Sequence, residues 1–388
     1  MAYQFPELTI PELRRAGGAK WSTYPDLIGT FVAESDFGTA PAVTDELRFR
    51  VGHASYGYVT EAELGRVREA LAGWLADRHG WQLDPARIGV LPEVIAALQL
   101  AIEHFTAPGS PVILPTPGYM PFLQLPGDLG RELIQVPAIE EEGRAILDLE
   151  AIDRAFAGGA SLLILVNPNN PTGTVYTRQE LLALAEVVDR HGGRVWADEI
   201  HAPLVYPGAE HVPYAALNET TRAHTITATS ASKGWNIPGL KCAQVIFTND
   251  DDLVRWRRIG RWPQHAAGSL GVWATTAAFR EGRDWLDDLV THLDVNRQRL
   301  RLLVAEHLPQ ARLAVPQATY LGWLDLREYG IEGNLGRYFR QHAGVAATDG
   351  TLCGRDYRGW LRVNFATPGP ILEETFRRLG AAVNAAAG

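Results

Sequence analysis

Ser161-Leu162-Leu163-Ile164-Leu165-Val166 is an apolar run of strand length, and it stops abruptly at Asn167-Pro168-Asn169-Asn170-Pro171-Thr172-Gly173. A short run without polar alternation reads as a central parallel strand, covered by helices on both faces. The turn after it places an asparagine amide at the strand's carboxyl end, where open α/β sheets take their ligands. A plain Asn-Pro loop is the competing reading. The same grammar recurs in Ile88-Gly89-Val90-Leu91, in Pro111-Val112-Ile113-Leu114-Pro115, in Arg194-Val195-Trp196-Ala197-Asp198 and in Thr225-Ile226-Thr227-Ala228-Thr229. Between these runs, Arg178 to Arg190 has helical spacing, with Leu181, Leu182, Leu184, Val187 and Val188 facing inward. The pattern is that of an α/β chain.

After Thr229 the sequence turns small and polar and delivers one lysine, Ser230-Ala231-Ser232-Lys233-Gly234-Trp235. The apolar Val245-Ile246-Phe247 downstream implies a buried setting, where an ammonium is costly unless it is used. Burial lowers a lysine's pKa from about 10.4 and makes the free amine available as nucleophile and base. Ser230 and Ser232 offer donors to a phosphate, and Lys241 offers a cation. Together they suit pyridoxal phosphate, held through its aldehyde at one end and its phosphate at the other. S-x-S-K alone fits an exposed turn just as well.

Other positions supply candidate partners. Asp198 ends a buried strand, an expensive place for an acid unless a cation meets it, and a protonated pyridine nitrogen is such a cation. His201, three residues on, could face the same place or be a satisfied core histidine. Tyr119, in the turn Thr116-Pro117-Gly118-Tyr119-Met120-Pro121-Phe122, suits stacking on a planar ring as well as packing. Arg362, inside Gly359-Trp360-Leu361-Arg362-Val363-Asn364-Phe365, needs an anion, and its planar fork suits an α-carboxylate; a structural ion pair is the alternative. Phe31 to Gly38 reads as an extended segment ending on a glycine where backbone can approach a ligand, so Gly38 is a substrate-side candidate. Tyr58, in Ser55-Tyr56-Gly57-Tyr58, can present a phenol to a neighbouring site or simply pack. Glu93 sits at the start of a helix, where it suits the helix dipole but would repel an inward phosphate.

With 388 residues and 46% hydrophobic content, the chain can hold one large and one smaller domain. A net charge of -9 argues against general nucleic-acid or anionic-membrane binding. The N-terminal stretch shows no signal-peptide core and no segment reaches membrane-spanning length, so a cytoplasmic protein is expected. Cys242 and Cys353 stand far apart without a histidine cluster, which supports neither a metal site nor a disulfide framework. Gly268 to Leu303 is helical by period, broken at Gly282-Arg283, with Trp285, Leu286, Leu289, Leu293 and Leu300 as one stripe.

Taken in order, Asn170-Pro171-Thr172-Gly173, Asp198, Ser230-Ala231-Ser232-Lys233 with Lys241, and Arg362 resemble the fold type I pyridoxal-phosphate enzymes of the aminotransferase class I/II superfamily. Lys20-Trp21, Ala33-Glu34-Ser35-Asp36-Phe37, Asp198-Glu199-Ile200-His201, Asn236-Ile237-Pro238-Gly239-Leu240 and Gln317-Ala318-Thr319-Tyr320-Leu321 resemble its cystathionine β-lyase-like, carbon-sulfur lyase branch. The resemblance implies a large domain with a mostly parallel seven-stranded sheet between helices, residues 48–284. It also implies a smaller α+β domain formed by the N-terminal arm, 1–47, and the C-terminal part, 285–388.

It further implies pyridoxal 5'-phosphate with Lys233 on its aldehyde, Asp198 on its ring nitrogen and Asn170 on its ring hydroxyl. Tyr119 would stack on the ring, with His201 beside it. Ser230, Ser232 and Lys241 would hold the phosphate, Tyr58 would reach it from the other subunit of a homodimer, and Arg362 would bind the substrate carboxylate. His201 stands where many aminotransferases carry a tyrosine, which favours the lyase. Glu93 departs from the small residue usual at its place. The activity implied is cleavage of cystathionine or a related cysteine thioether to a thiol, pyruvate and ammonia. An aminotransferase acting between an amino acid and a 2-oxo acid is the alternative, and a non-catalytic regulator on the same scaffold is a more distant one.

Overall fold

The computed structural model describes residues 3–141 and 143–387. Its main sheet is built from β1 (Ile88–Leu91), β2 (Val112–Thr116), β3 (Leu133–Pro137), β4 (Leu162–Val166), β5 (Arg194–Asp198), β6 (Thr225–Thr229) and β7 (Ala243–Phe247). The spatial order is β1-β7-β6-β5-β4-β2-β3, parallel throughout except that β7 runs antiparallel to both of its neighbours. This is the mostly parallel seven-stranded sheet expected. Every residue of β4 is buried, as an unalternating apolar strand requires.

Helices cover both faces of this sheet. The helix Arg178–Arg190 starts on a capping box in which Thr177 and Glu180 satisfy each other's backbone N–H groups, and it buries Leu181, Leu184, Val187 and Val188. Burying each of those side chains contributes roughly 1.5–3 kcal/mol. On the opposite face, Val94–His104 packs Val94, Ala97, Leu98 and Ala101 beneath β6 and β7.

Two helices, Ser269–Glu281 and Arg283–His307, meet at Gly282. Its carbonyl accepts a hydrogen bond from Trp235 Nε1 (2.8 Å), and a Cβ added at this position would lie 2.5 Å from the same nitrogen. The predicted break therefore exists because the indole approaches too closely for any side chain. The second helix then carries Trp285, Leu286, Leu289, Leu293 and Leu300 into the core as one stripe.

A smaller antiparallel sheet follows, from β8 (Arg312–Ala314), β9 (Leu321–Asp325), β10 (Thr348–Asp349) and β11 (Trp360–Asn364), in the order β8-β9-β11-β10. The N-terminal arm joins it: Ile28–Gly29 pairs in parallel with Val345–Ala346. Phe31 to Gly38 contains no strand, and backbone groups within it bond to side chains instead of a ladder. Asp36 lies in a turn of this segment. Its carboxylate is buried and accepts from Lys20 Nζ and Trp21 Nε1, each at 2.8 Å.

Lys20 and Asp36 both lie out of water, so removing one leaves the other as an unpaired buried charge. Asp36→Ala is expected to lower unfolding free energy by about 3–5 kcal/mol. Trp21→Phe, which costs only one charge-assisted hydrogen bond, is expected to cost about 1.5–3 kcal/mol. Urea denaturation of the two variants checks the ranking; equal midpoints would contradict it.

Candidate active site

Parallel strands end on the same edge of a sheet, and the register here brings Val166, Asp198 and Ala228 side by side. The turns that follow therefore carry Asn170, His201, Ser230, Ser232 and Lys233 to one edge. These residues, with Tyr119, Glu93, Arg362 and the segment Phe31 to Ala33, line a cleft of about 490 Å³. A larger recess, about 590 Å³, lies beside Tyr58, Arg257 and Arg261 and holds none of Lys233, Asp198 or Arg362.

Lys233 is open to the cleft on one side and otherwise densely enclosed. Its Nζ donates to the Ala33 carbonyl (2.9 Å), and burial, opposed by Glu34 and helped by Arg362, lowers its pKa to about 8. Near neutral pH a useful fraction of this amine is unprotonated. Asp198 is shifted the other way: burial raises its pKa to about 7, against the pull of the Ile200 N–H donated to Oδ1 (3.0 Å). Among the described residues no side-chain donor reaches its carboxylate within hydrogen-bond distance. His201 is buried, its Nδ1 has no partner, and burial beside Lys233 and Arg362 lowers its pKa to about 3, so the ring stays neutral.

Arg362 comes from β11, on the opposing sheet. It is 1% exposed and donates to Asn170 Oδ1 (3.0 Å), the Phe31 carbonyl (2.7 Å) and Thr348 Oγ1 (3.3 Å), while its Nε has no partner. No carboxylate pairs with it among the described residues, which removes the structural ion pair as an explanation of its burial. A buried guanidinium held only by neutral acceptors is set up to take an anion. Tyr119 caps the start of the helix Met120–Asp128, edge-on to Phe122, and burial raises its pKa, so it remains a neutral phenol.

Some candidates sit elsewhere. Gly38 is not a wall of this cleft; it lies in a neighbouring recess with Lys20, Asp36 and Asn236, because the Lys20–Asp36 pair turns the chain away first. The Lys241 ammonium rests on the Glu93 carboxylate at the cleft rim, since a half-exposed cation takes the nearest available anion. Ser230 Oγ is already committed, donating to the Cys242 carbonyl (2.7 Å) and accepting from Ser232 N (3.0 Å). Tyr58 is 87% exposed, its ring near His265.

Sequence reasoning had not singled out as site residues three that hold the segment bordering the cleft. Tyr320 donates to the Ala33 carbonyl (2.9 Å), Asn364 donates to the carbonyls of Val32 and Glu34 (2.7 Å each), and Asn236 exchanges bonds with the backbone of Ser35. Asn364 was within reach of a periodicity argument, since it lies two residues after Arg362 and so on the same strand face.

The family model for aminotransferase class I and II matches residues 32–378. Cystathionine beta-lyase of Corynebacterium glutamicum is 37% identical over 97% of this chain and 99% of its own. Cystathionine beta-lyase PatB of Bacillus subtilis is 32% identical over 94% of this chain and 96% of its own. The crystal structure of the PLP-bound C-S lyase from Staphylococcus hominis superposes with a TM-score of 0.90 at 27% identity, covering 99% of this chain and 98% of its own. The chain belongs to the class I and II aminotransferase family.

Proposed function

We propose that this chain is a pyridoxal-phosphate-dependent carbon-sulfur β-lyase that cleaves cystathionine or a related cysteine thioether to a thiol, pyruvate and ammonia. The observation that carries the reading is one cleft holding a lysine whose pKa burial lowers to about 8, a buried carboxylate free of side-chain donors and a buried guanidinium free of carboxylates. The relatives named above as lyases support the choice of reaction.

The residues fit the cofactor. Lys233 would meet its aldehyde, the Asp198 carboxylate its ring nitrogen, and Asn170, whose Oδ1 is held by Arg362, its ring hydroxyl. Tyr119 and His201 would lie against the ring. Ser232 and the first N–H groups of the helix Val94–His104 suit its phosphate. When bound, the cofactor supplies the aldehyde that captures the substrate amine and the protonated ring that accepts the electron pair left on Cα. Arg362 fixes the substrate carboxylate and so orients the Cα–H bond. Lys233 takes that proton through Nζ, a transfer worth about 10²- to 10⁴-fold. With the protonated ring nitrogen beside it, Asp198 would keep its charge and would hold that proton in place. The Cβ–S bond then breaks, sulfur leaves as the thiol, and hydrolysis of the remaining fragment yields pyruvate and ammonia.

Residues 48–284 hold the whole large sheet and 285–388 the whole small one, which supports the proposed division at 47 and 284. A homodimer in which Tyr58 serves the other subunit belongs to the same proposal. It is supported by the exposure of Tyr56, Tyr58 and Trp262 near one recess, and sedimentation velocity reads it directly. A cytoplasmic setting is likewise proposed. No helix among the described residues is long and apolar enough to cross a membrane.

Feeding cystathionine without any 2-oxo acid is the discriminating test. Steady pyruvate release that Lys233→Ala abolishes is expected; a single half-turnover that stops until an oxo acid is added would make the chain an aminotransferase. The shifted carboxylate makes a separate prediction for cofactor-free protein. Asp198 titrates at about 7 when folded against about 3.9 when unfolded, so between these values the native state holds the extra proton. Its contribution to stability is present at low pH and falls as pH rises through that window. The urea midpoint of wild type should fall relative to that of Asp198→Asn between about pH 4 and pH 7 and run parallel to it above; parallel profiles throughout would show an ordinary carboxylate.

A further inference from the structure

The backbone from Phe31 to Ser35 passes the cleft with successive carbonyl oxygens turned to side chains. Phe31 accepts from Arg362, and Val32 and Glu34 accept from Asn364. The Ala33 oxygen accepts from Lys233 Nζ and Tyr320 Oη, both at 2.9 Å, so the lysine nitrogen shares its acceptor with a phenol. Tyr320 is completely buried at the entrance to β9, and its hydroxyl makes no other hydrogen bond among the described residues. Its ring lies beside His201, with centroids 6.4 Å apart.

We infer that Tyr320 is a positioning residue for Lys233: its hydroxyl occupies one side of the Ala33 carbonyl oxygen, fixing that oxygen and weakening it as a resting place for the lysine nitrogen. The inference rests on Lys233 being the working amine. Two donors on one acceptor compete, and an acceptor that binds an ammonium favours the charged form. Ala33 is the one hydrogen-bond acceptor that Nζ has among the described residues. By drawing on that oxygen, Tyr320 tips Lys233 toward the free amine and toward the cleft.

The charged groups around the amine cannot do this alone. Glu34, from the same segment, and Asp198, from the end of β5, favour the ammonium, while Arg362, from β11, opposes it. His201 is neutral, and Tyr320 itself stays a phenol, its pKa raised by burial. Burial, the largest influence, favours the free amine, and a phenol locked on the shared carbonyl adds to it without titrating.

The test reads the lysine directly and does not depend on turnover. Full-length protein freed of cofactor is exposed to trace acetic anhydride across a pH series, and acetylation of Lys233 is quantified by peptide mass mapping. Wild type should show a midpoint near about 8. Tyr320→Phe, which keeps the ring, should move the midpoint upward, slowing acetylation at pH 7 by about 3- to 10-fold. Tyr206→Phe is the control: it too removes a buried hydroxyl bonded to a backbone carbonyl, that of Thr319, and should leave the midpoint in place. A midpoint unmoved or lowered in Tyr320→Phe overturns the positioning role. An equal upward shift in Tyr206→Phe also overturns it, as general loosening. A wild-type midpoint at an ordinary lysine value would instead overturn the reading of Lys233 on which the inference rests.

Discussion

Buried backbone without a strand partner must find its hydrogen bonds elsewhere, and between Phe31 and Ser35 it finds them in side chains in and around the cleft. Arg362 holds Phe31, Asn364 holds Val32 and Glu34, Lys233 and Tyr320 hold Ala33, and Asn236 holds Ser35. The dependence is mutual. The segment stays in place because donors from both sheets reach it, and those donors are aimed because carbonyl oxygens neither titrate nor rotate freely. Just beyond, the Lys20–Asp36 pair and Trp21 fasten the end of the segment, with Lys20 Nζ also reaching the Ala366 carbonyl near the last helix. The N-terminal arm thus ties the large sheet to the small one directly over the chemistry.

Desolvation does the electrostatic work inside that frame, and it does so with opposite signs. The lysine comes down to about 8 and the aspartate goes up to about 7, closing most of the gap of roughly six units that separates the two groups in water. Each then responds to what lies beside it near neutral pH. Arg362 resists the same burial because a guanidinium does not give up its proton; burial lowers its pKa without neutralising it, and its charge remains for an anion. A cleft with one permanent cation and two adjustable groups suits an amino acid that must be anchored by its carboxylate while a proton is moved at the neighbouring carbon.

The fold was legible wherever the signal was local. The apolar runs of β2, β4, β5 and β6, the helix Arg178–Arg190 and the break at Gly282 all fall close to where hydrophobic spacing places them. Lys233, Asp198 and Asn170 were legible for a related reason: parallel strands share an edge, so residues just past strand ends gather without any long-range argument. Arg362 required more, because its strand belongs to the other sheet, yet a lone arginine among apolar neighbours already called for an anion.

Other features depended on separations that periodicity does not span. Glu93 and Lys241 lie 148 positions apart, and their contact at the cleft rim follows from where β1 and β7 set down their ends. Gly38 was expected in the cleft as an open glycine and lies outside it, because a buried ion pair two residues earlier redirects the chain. The Ala33 carbonyl could not be read at all, since every residue has a carbonyl and only its placement distinguishes this one. The amino-acid order alone determined which segments are strands and helices and which side chains carry charge into the interior, because those are properties of neighbours along the chain. Tertiary structure alone decided which backbone oxygens those charges meet, because hydrogen bonds are set by distance in space, and distance in space is unrelated to residue number.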